Sequence, residues 1–170
     1  MTVEIRALRA DDDRSRFTSG DDALDLYFRR YAGQNQFRHH VGVTYLALEG
    51  ERILAFATVA AASLDADDLP NGRKMPPYPL PILRVARLAV AEGYRGRGLG
   101  RSMLRFVVEL AEKMRDELGC VGVVVDAKAA AVDFYACLGF TEVDVEEGGP
   151  RIVPRPQMMF LPLGAVPRRR

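Results

Sequence analysis

One stretch constrains this chain more than any other. A nearly continuous apolar run at residues 82–90 leads into Arg95-Gly96-Arg97-Gly98-Leu99-Gly100-Arg101, and a long amphipathic pattern of helical period follows. The order is strand, glycine-rich turn, helix start. Glycine has no Cβ, so its backbone turns tightly and approaches a bulky anion. The first turn of a helix carries N–H groups without intrahelical acceptors, at the positive end of the dipole. Together these make a site for a phosphate group, and Arg95, Arg97 and Arg101 add positive charge around it. The run lacks the Gly-Lys-Ser/Thr ending of a nucleotide P-loop, which argues against ATP hydrolysis. Nor does it open a dinucleotide-binding layout.

The rest of the chain reads as a mixed α/β domain. Residues 3–8 form a weakly alternating first strand. Ser19 is a helix cap, with Asp22 three residues on, and Leu24, Tyr27, Phe28 and Tyr31 follow helical spacing. The helical tendency continues, after a break, through 34–40. Strands are expected at 43–48 and 53–62, joined at Glu49-Gly50-Glu51. Residues 65–81, rich in Asp, Pro and Gly, form a loop of unusual length. On the long helix, Leu99, Met103, Phe106, Val107, Leu110, Met114 and Leu118 make the apolar face, and Gly119 ends it. A strand at 121–125, a helix at 127–138 stopped by Gly139, a strand at 140–145, a turn-rich connection at 146–156 and a last strand at 157–163 complete the order. Asp126 is a candidate cap for the second of these helices. Arg84 and Arg87 point to opposite sheet faces by their odd and even positions.

With 170 residues the chain suits one domain, 1–170, with 164–170 a mobile basic tail. Its 24 basic and 23 acidic residues nearly cancel, so overall charge points to no nucleic-acid partner and distribution matters more. Cations crowd at Arg29-Arg30, Arg38-His39-His40, Arg73-Lys74 and Arg168-Arg169-Arg170. Cys120 and Cys137 lack metal or redox spacing, so both are expected to be buried thiols and no metal is expected. The first ten residues do not form a signal peptide, and no apolar run has the length of a membrane span, so the cytoplasm is the default compartment.

That element order, together with the loop, resembles the GNAT acetyltransferase superfamily. Its cofactor motif, Arg/Gln-x-x-Gly-x-Gly/Ala, is complete here in residues 95–100. Arg87-Leu88-Ala89-Val90 resembles the family strand whose backbone binds the pantetheine arm. Ala131-Val132-Asp133-Phe134-Tyr135-Ala136-Cys137-Leu138-Gly139-Phe140 resembles a second signature, around a tyrosine. The resemblance implies a mostly antiparallel central sheet of about six to seven strands flanked by helices. It also implies acetyl-CoA as cofactor, held by Leu88, Ala89, Val90, the loop from Arg95 through Arg101, Ser102 and Phe134. Tyr135 would be the general acid, because a phenol of ordinary pKa about 10 stays protonated at neutral pH. Lys128 departs from the pattern, standing where many members carry a cofactor-touching Asn.

A narrower resemblance, to the GNAT-type toxins of bacterial toxin–antitoxin modules, covers nearly the whole chain. It rests on residues 19–36, Ala60-Ala61-Ala62-Ser63, Arg87-Leu88-Ala89-Val90 and Met159-Phe160-Leu161-Pro162-Leu163. It implies acetylation of the α-amine of aminoacyl-tRNA, a ribbon-helix-helix antitoxin as partner, and a homodimer. Arg29, Arg30 and Arg38, with Arg73-Lys74, are then candidates for the rim facing RNA phosphates. An enzyme acetylating a small-molecule or protein amine, and a non-catalytic acyl-CoA-binding module, stand as alternatives. His39 and His40 suit surface or capping roles, and no residue stands out as general base.

Overall fold

A computed structural model of the chain describes residues 2–69, 74–144 and 156–165. Arg73, the tail Arg168–Arg170 and most of the 146–156 connection lie outside the described residues. Seven strands form one sheet: β1 (Glu4–Ala7), β2 (Val43–Glu49), β3 (Arg52–Leu64), β4 (Leu80–Val90), β5 (Gly122–Ala127), β6 (Thr141–Glu142) and β7 (Gln157–Pro162). Their order is β1-β2-β3-β4-β5-β7-β6, and the pairs β1–β2, β2–β3, β5–β7 and β6–β7 are antiparallel. The helices are α1 (Asp22–Leu26), α2 (Leu99–Glu117) and α3 (Val132–Cys137). Mixed α/β character and a seven-stranded sheet agree with the sequence.

The described chain divides into two compact units, 1–60 with 85–109 and 61–84 with 110–170. The core of the first is aromatic. Phe28 stacks on Phe56 at 4.2 Å between ring centres, and Phe17 meets both edge-on at 4.9 and 5.4 Å. Leu8, Leu46, Leu48 and Ala89 close around them. Each such ring contributes about 1.5–3 kcal/mol by leaving water. The second core gathers Leu64, Ile82, Val124, Val143 and Phe160. A Cβ at Gly122 would stand 2.3 Å from the Phe160 ring, so only glycine lets that ring lie across β5.

Several local expectations are corrected. Ser19 does not cap α1. Asp21 does, accepting from the Leu24 N–H at 3.1 Å. The helix does not break after α1; it runs on through two π-helical turns, Tyr27–Tyr31 and Gln34–His39, and ends at His40, which adopts left-handed backbone at φ 53°. The buried face of α2 is rotated from the expected one. Leu99, Met103 and Val107 are buried as read, but Leu104 and Ala111 complete the face, while Leu118 is 84 % exposed. Asp126 caps no helix; it pairs with Arg84 at 3.4 Å. Arg84 and Arg87 are both half-buried. Cys120 is buried, and burial pushes its thiol pKa up, whereas Cys137 is exposed. In place of one helix at 127–138, Ala127 ends β5, Lys128 is extended, and a single turn of 3-10 helix (Ala129–Ala131) leads into α3. The chain from Leu163 to Ala165 also forms a 3-10 turn. Gly119 and Gly139, at φ +107° and +98°, end their helices as read.

Candidate active site

The glycine loop grows out of β4. Ala91 anchors its start by donating to the Leu54 carbonyl at 2.8 Å, and the Glu92 N–H reaches the Thr18 carbonyl at 2.8 Å. Gly96 and Gly98 then adopt φ +76° and +77°, a region costly for any residue with a Cβ. A Cβ at either would meet nothing within 4 Å. Glycine is therefore required by the backbone conformation, and the space beside the loop is open to a ligand. Helix α2 opens immediately. Ser102 is the first residue whose N–H turns back, to the Gly98 carbonyl at 3.0 Å, and its hydroxyl donates to the same oxygen at 3.0 Å. The N–H groups of Leu99, Gly100 and Arg101 belong to the first turn, which has no intrahelical acceptors.

The three arginines differ. Arg95 donates to the Ser19 carbonyl and so ties the loop to the segment ahead of α1. Arg97 lies over the Tyr94 ring at 4.9 Å, and the Tyr94 hydroxyl accepts from Arg52 at 2.6 Å. Arg101 is exposed on α2. On β4, Ala89 points into the aromatic core, leaving Leu88 and Val90 half-buried on the other face. Arg87 stacks on Tyr27 at 3.6 Å from the ring centre. A cleft of about 860 Å³ opens along the same unit, walled by Arg6, Asp12, Arg16, Arg52, Glu92 and Tyr94. Its charges are mixed, and Arg6 holds the Asp12 carboxyl below the usual carboxylate range through hydrogen bonds of 2.8 and 2.9 Å.

The front of α1 is held by a buried carboxylate that sequence reasoning missed. Asp25 is 3 % exposed. It accepts from the Ser19 N–H at 2.9 and 3.1 Å and from the Ser19 hydroxyl at 2.6 Å. Arg29 stands 4.0 Å from it and donates to the Phe17 carbonyl at 2.8 and 3.2 Å. Arg29 is therefore engaged within the fold, while Arg30 and Arg38 are exposed on the π-helical stretch. The available signal was an acid in the middle of an otherwise apolar helical spacing.

Leu88 to Ser102 lie in the first unit, and Phe134 and Tyr135 in the second. Tyr135, on α3, is 7 % exposed, with Phe134 and Phe140 set edge-on at 5.2 and 5.5 Å. Its backbone carbonyl accepts from Leu138 and Phe140, which fixes the residue against the Gly139 turn. Burial disfavours the phenolate and pushes the Tyr135 pKa up to about 12. The side chain thus carries its proton at any physiological pH. Phe134 is 37 % exposed. Among the described residues, no three His, Cys, Asp or Glu side chains gather as metal ligands, and no helix is long and apolar enough to cross a membrane.

Residues 40–142 match the acetyltransferase (GNAT) domain family. A tRNA-acetylating toxin of Mycobacterium tuberculosis (strain ATCC 25618 / H37Rv) is 32 % identical over 117 residues, spanning 68 % of this chain and 70 % of the relative. Among solved structures, AtaT complexed with acetyl-methionyl-tRNAfMet superposes with a TM-score of 0.85 at 23 % identity, over 97 % of both chains. A mutant AtaT toxin bound to the C-terminus of the antitoxin AtaR and acetyl-CoA gives 0.76 at 20 % identity, over 97 % of this chain and 96 % of that one. The match from the end of the π-helical stretch through the tyrosine helix and its glycine stop places the chain in the GNAT family: it is an acetyltransferase.

Proposed function

We propose that this protein moves the acetyl group of acetyl-CoA to the α-amine of an aminoacyl-tRNA, with Tyr135 as general acid. The observation that carries the acceptor is the likeness to a tRNA-acetylating toxin over two thirds of the chain. The exposed cations Arg30 and Arg38 supply groups for RNA phosphates. Acetyl-CoA supplies an activated thioester. Gly96 and Gly98, open to a ligand beside the first turn of α2, fit its pyrophosphate, with Arg97, Arg101 and Ser102 alongside. Backbone N–H groups near Val90 polarise the carbonyl under attack. The Tyr135 hydroxyl gives its proton to the departing thiolate as the C–S bond breaks, the proton shed by the amine nitrogen as the C–N bond forms passes to water, and water returns one to Tyr135, whose raised pKa keeps it protonated between turnovers. The α-amine of an aminoacyl ester is more acidic than a lysine side chain, so a useful fraction is neutral without a dedicated base. A small antitoxin is the corresponding partner, and we assign it the ribbon-helix-helix type; the active form is a homodimer.

The test uses labelled acetyl-CoA and a pool of charged tRNA, with wild type and Tyr135→Phe side by side. Label is expected on the aminoacyl α-amine, with the rate falling about 10²- to 10⁴-fold in the variant. Acetyl-CoA consumed only with small amines, and no label on charged tRNA, would overturn the acceptor. A wild-type rate in Tyr135→Phe would overturn the acid.

A further inference from the structure

Three successive carbonyls ahead of α1 are gripped from two directions. The Phe17 carbonyl accepts from Arg29, on the first π-helical turn, at 2.8 and 3.2 Å. The Thr18 carbonyl accepts from the Glu92 N–H at 2.8 Å, and the Ser19 carbonyl accepts from Arg95. Asp25 holds the same segment from the α1 side. It accepts from the Ser19 N–H and hydroxyl, and from the Thr18 hydroxyl at 3.4 Å. Residues 17–20 are thus a strap strung between helix and loop. Phe17 and Ser19 are buried in it, while Thr18 is exposed. At Gly20 a Cβ would stand 2.8 Å from a Glu92 carboxyl oxygen and 3.3 Å from the Arg95 guanidinium. Its absence lets those two loop side chains lie against the strap. All of these residues belong to the first unit.

The β4–α2 loop needs such a brace. Gly93, Gly96 and Gly98 give its backbone more freedom than other residue types would. The Ala91 N–H fixes its start on β3, and the Ser102 N–H begins its helical end. Between these points two ties reach the strap, and an exposed third joins Tyr94 to Arg52. A loop free to wander must be ordered by the ligand it binds, and that cost is subtracted from affinity; a loop already held avoids it. We propose that Asp25 and Arg95 are positioning residues for acetyl-CoA. Through the strap they set the loop in the conformation that receives the pyrophosphate, an inference that rests on the coenzyme placement proposed above. Arg95 acts here through the Ser19 carbonyl rather than as a phosphate ligand. Asp25 and Arg95 are successive links of one chain, from α1 to strap and from strap to loop. Cutting either link frees the loop, so their effects do not add.

The experiment is isothermal titration with acetyl-CoA and, separately, with S-acetylpantetheine, which lacks the pyrophosphate. It compares wild type, Asp25→Ala, Arg95→Met, the double variant, and Ser19→Ala, which keeps the N–H bond to Asp25. Urea midpoints confirm that each variant is folded. Asp25→Ala and Arg95→Met are each expected to weaken acetyl-CoA about tenfold and acetylpantetheine by less than about twofold. The double variant should stay within about twofold of the weaker single variant. Ser19→Ala should weaken acetyl-CoA by roughly threefold, and paired with Arg95→Met it carries the same cycle if Asp25→Ala does not fold. A double variant weakened about a hundredfold would mean that Arg95 meets the coenzyme independently, which overturns the strap. Wild-type affinity in both Asp25→Ala and Ser19→Ala, beside a loss in Gly98→Ala, would overturn the strap and leave the loop as the pyrophosphate site. Equal weakening of both ligands would reduce Asp25 and Arg95 to supports of the fold, which also overturns it. A wild type that binds the two ligands equally would overturn the coenzyme placement and the strap together.

Discussion

Three glycines of the β4–α2 loop allow strain and ligand contact to be separated. Gly93, Gly96 and Gly98 have φ of +83°, +76° and +77°, and a Cβ at any of them meets nothing within 4 Å. Alanine at each position therefore incurs the same left-handed penalty, about 1–2 kcal/mol, with no added clash. In a chain of this length that corresponds to a fall in Tm of roughly 2–8 °C. Gly93 precedes the motif, whereas Gly96 and Gly98 are the positions where the backbone must come close to a pyrophosphate. Urea denaturation should accordingly rank the three alanine variants together. Isothermal titration with acetyl-CoA should divide them: Gly96→Ala and Gly98→Ala should bind at least tenfold more weakly, about 1.4 kcal/mol or more, and Gly93→Ala within about threefold of wild type. Equal weakening in all three would mean that strain, not contact, governs affinity. Undiminished binding in all three would remove the loop from the coenzyme site.

Two further outcomes follow from buried groups. Asp25→Ala leaves the Ser19 N–H and hydroxyl without their acceptor and Arg29 without its counter-charge, so stability in urea should fall by about 3 kcal/mol; Asp25→Asn, keeping one acceptor, should lose less. Tyr135 has a folded pKa of about 12 against about 10 unfolded, so its contribution is complete below pH 10 and disappears as pH rises toward 12. Wild type should therefore lose about 2–3 kcal/mol more than Tyr135→Phe between pH 9 and 12, and parallel urea midpoints would refute the burial of that hydroxyl.

What could be read in the sequence divides along physical lines. Backbone constraints were legible. The positive-φ glycines of the loop and the glycine stops at 119 and 139 need no tertiary information, because their backbone conformations are open to few other residues. Tertiary choices were not. Ser19 and Asp21 are both competent caps, and a buried carboxylate six residues on decided between them by claiming the serine hydroxyl. The α2 face shifted because Leu104 and Ala111 are buried while Leu118, at the helix end, is not. Asp126 was read as a local cap, but Arg84 on β4 supplied a charged partner that no spacing rule anticipates. Period counting at 3.6 also fails across the π-helical turns, which is why the helix looked interrupted. The candidate site was legible as two motifs; the burial that raises the Tyr135 pKa was not.

Those two wide turns also bear on lineage. A π turn holds one residue more than an α turn over the same arc, so each reads as a one-residue insertion absorbed in place. Each wide turn is pinned from within: Arg14 grips the Phe28 carbonyl at 2.7 Å, and the Gln36 side chain spans from the Leu8 carbonyl to the Thr44 N–H. Length can therefore drift by a residue between these pins without disturbing either. Laid without a gap against an uninterrupted α-helix, Arg38, beyond the first wide turn, falls at least one position out of register.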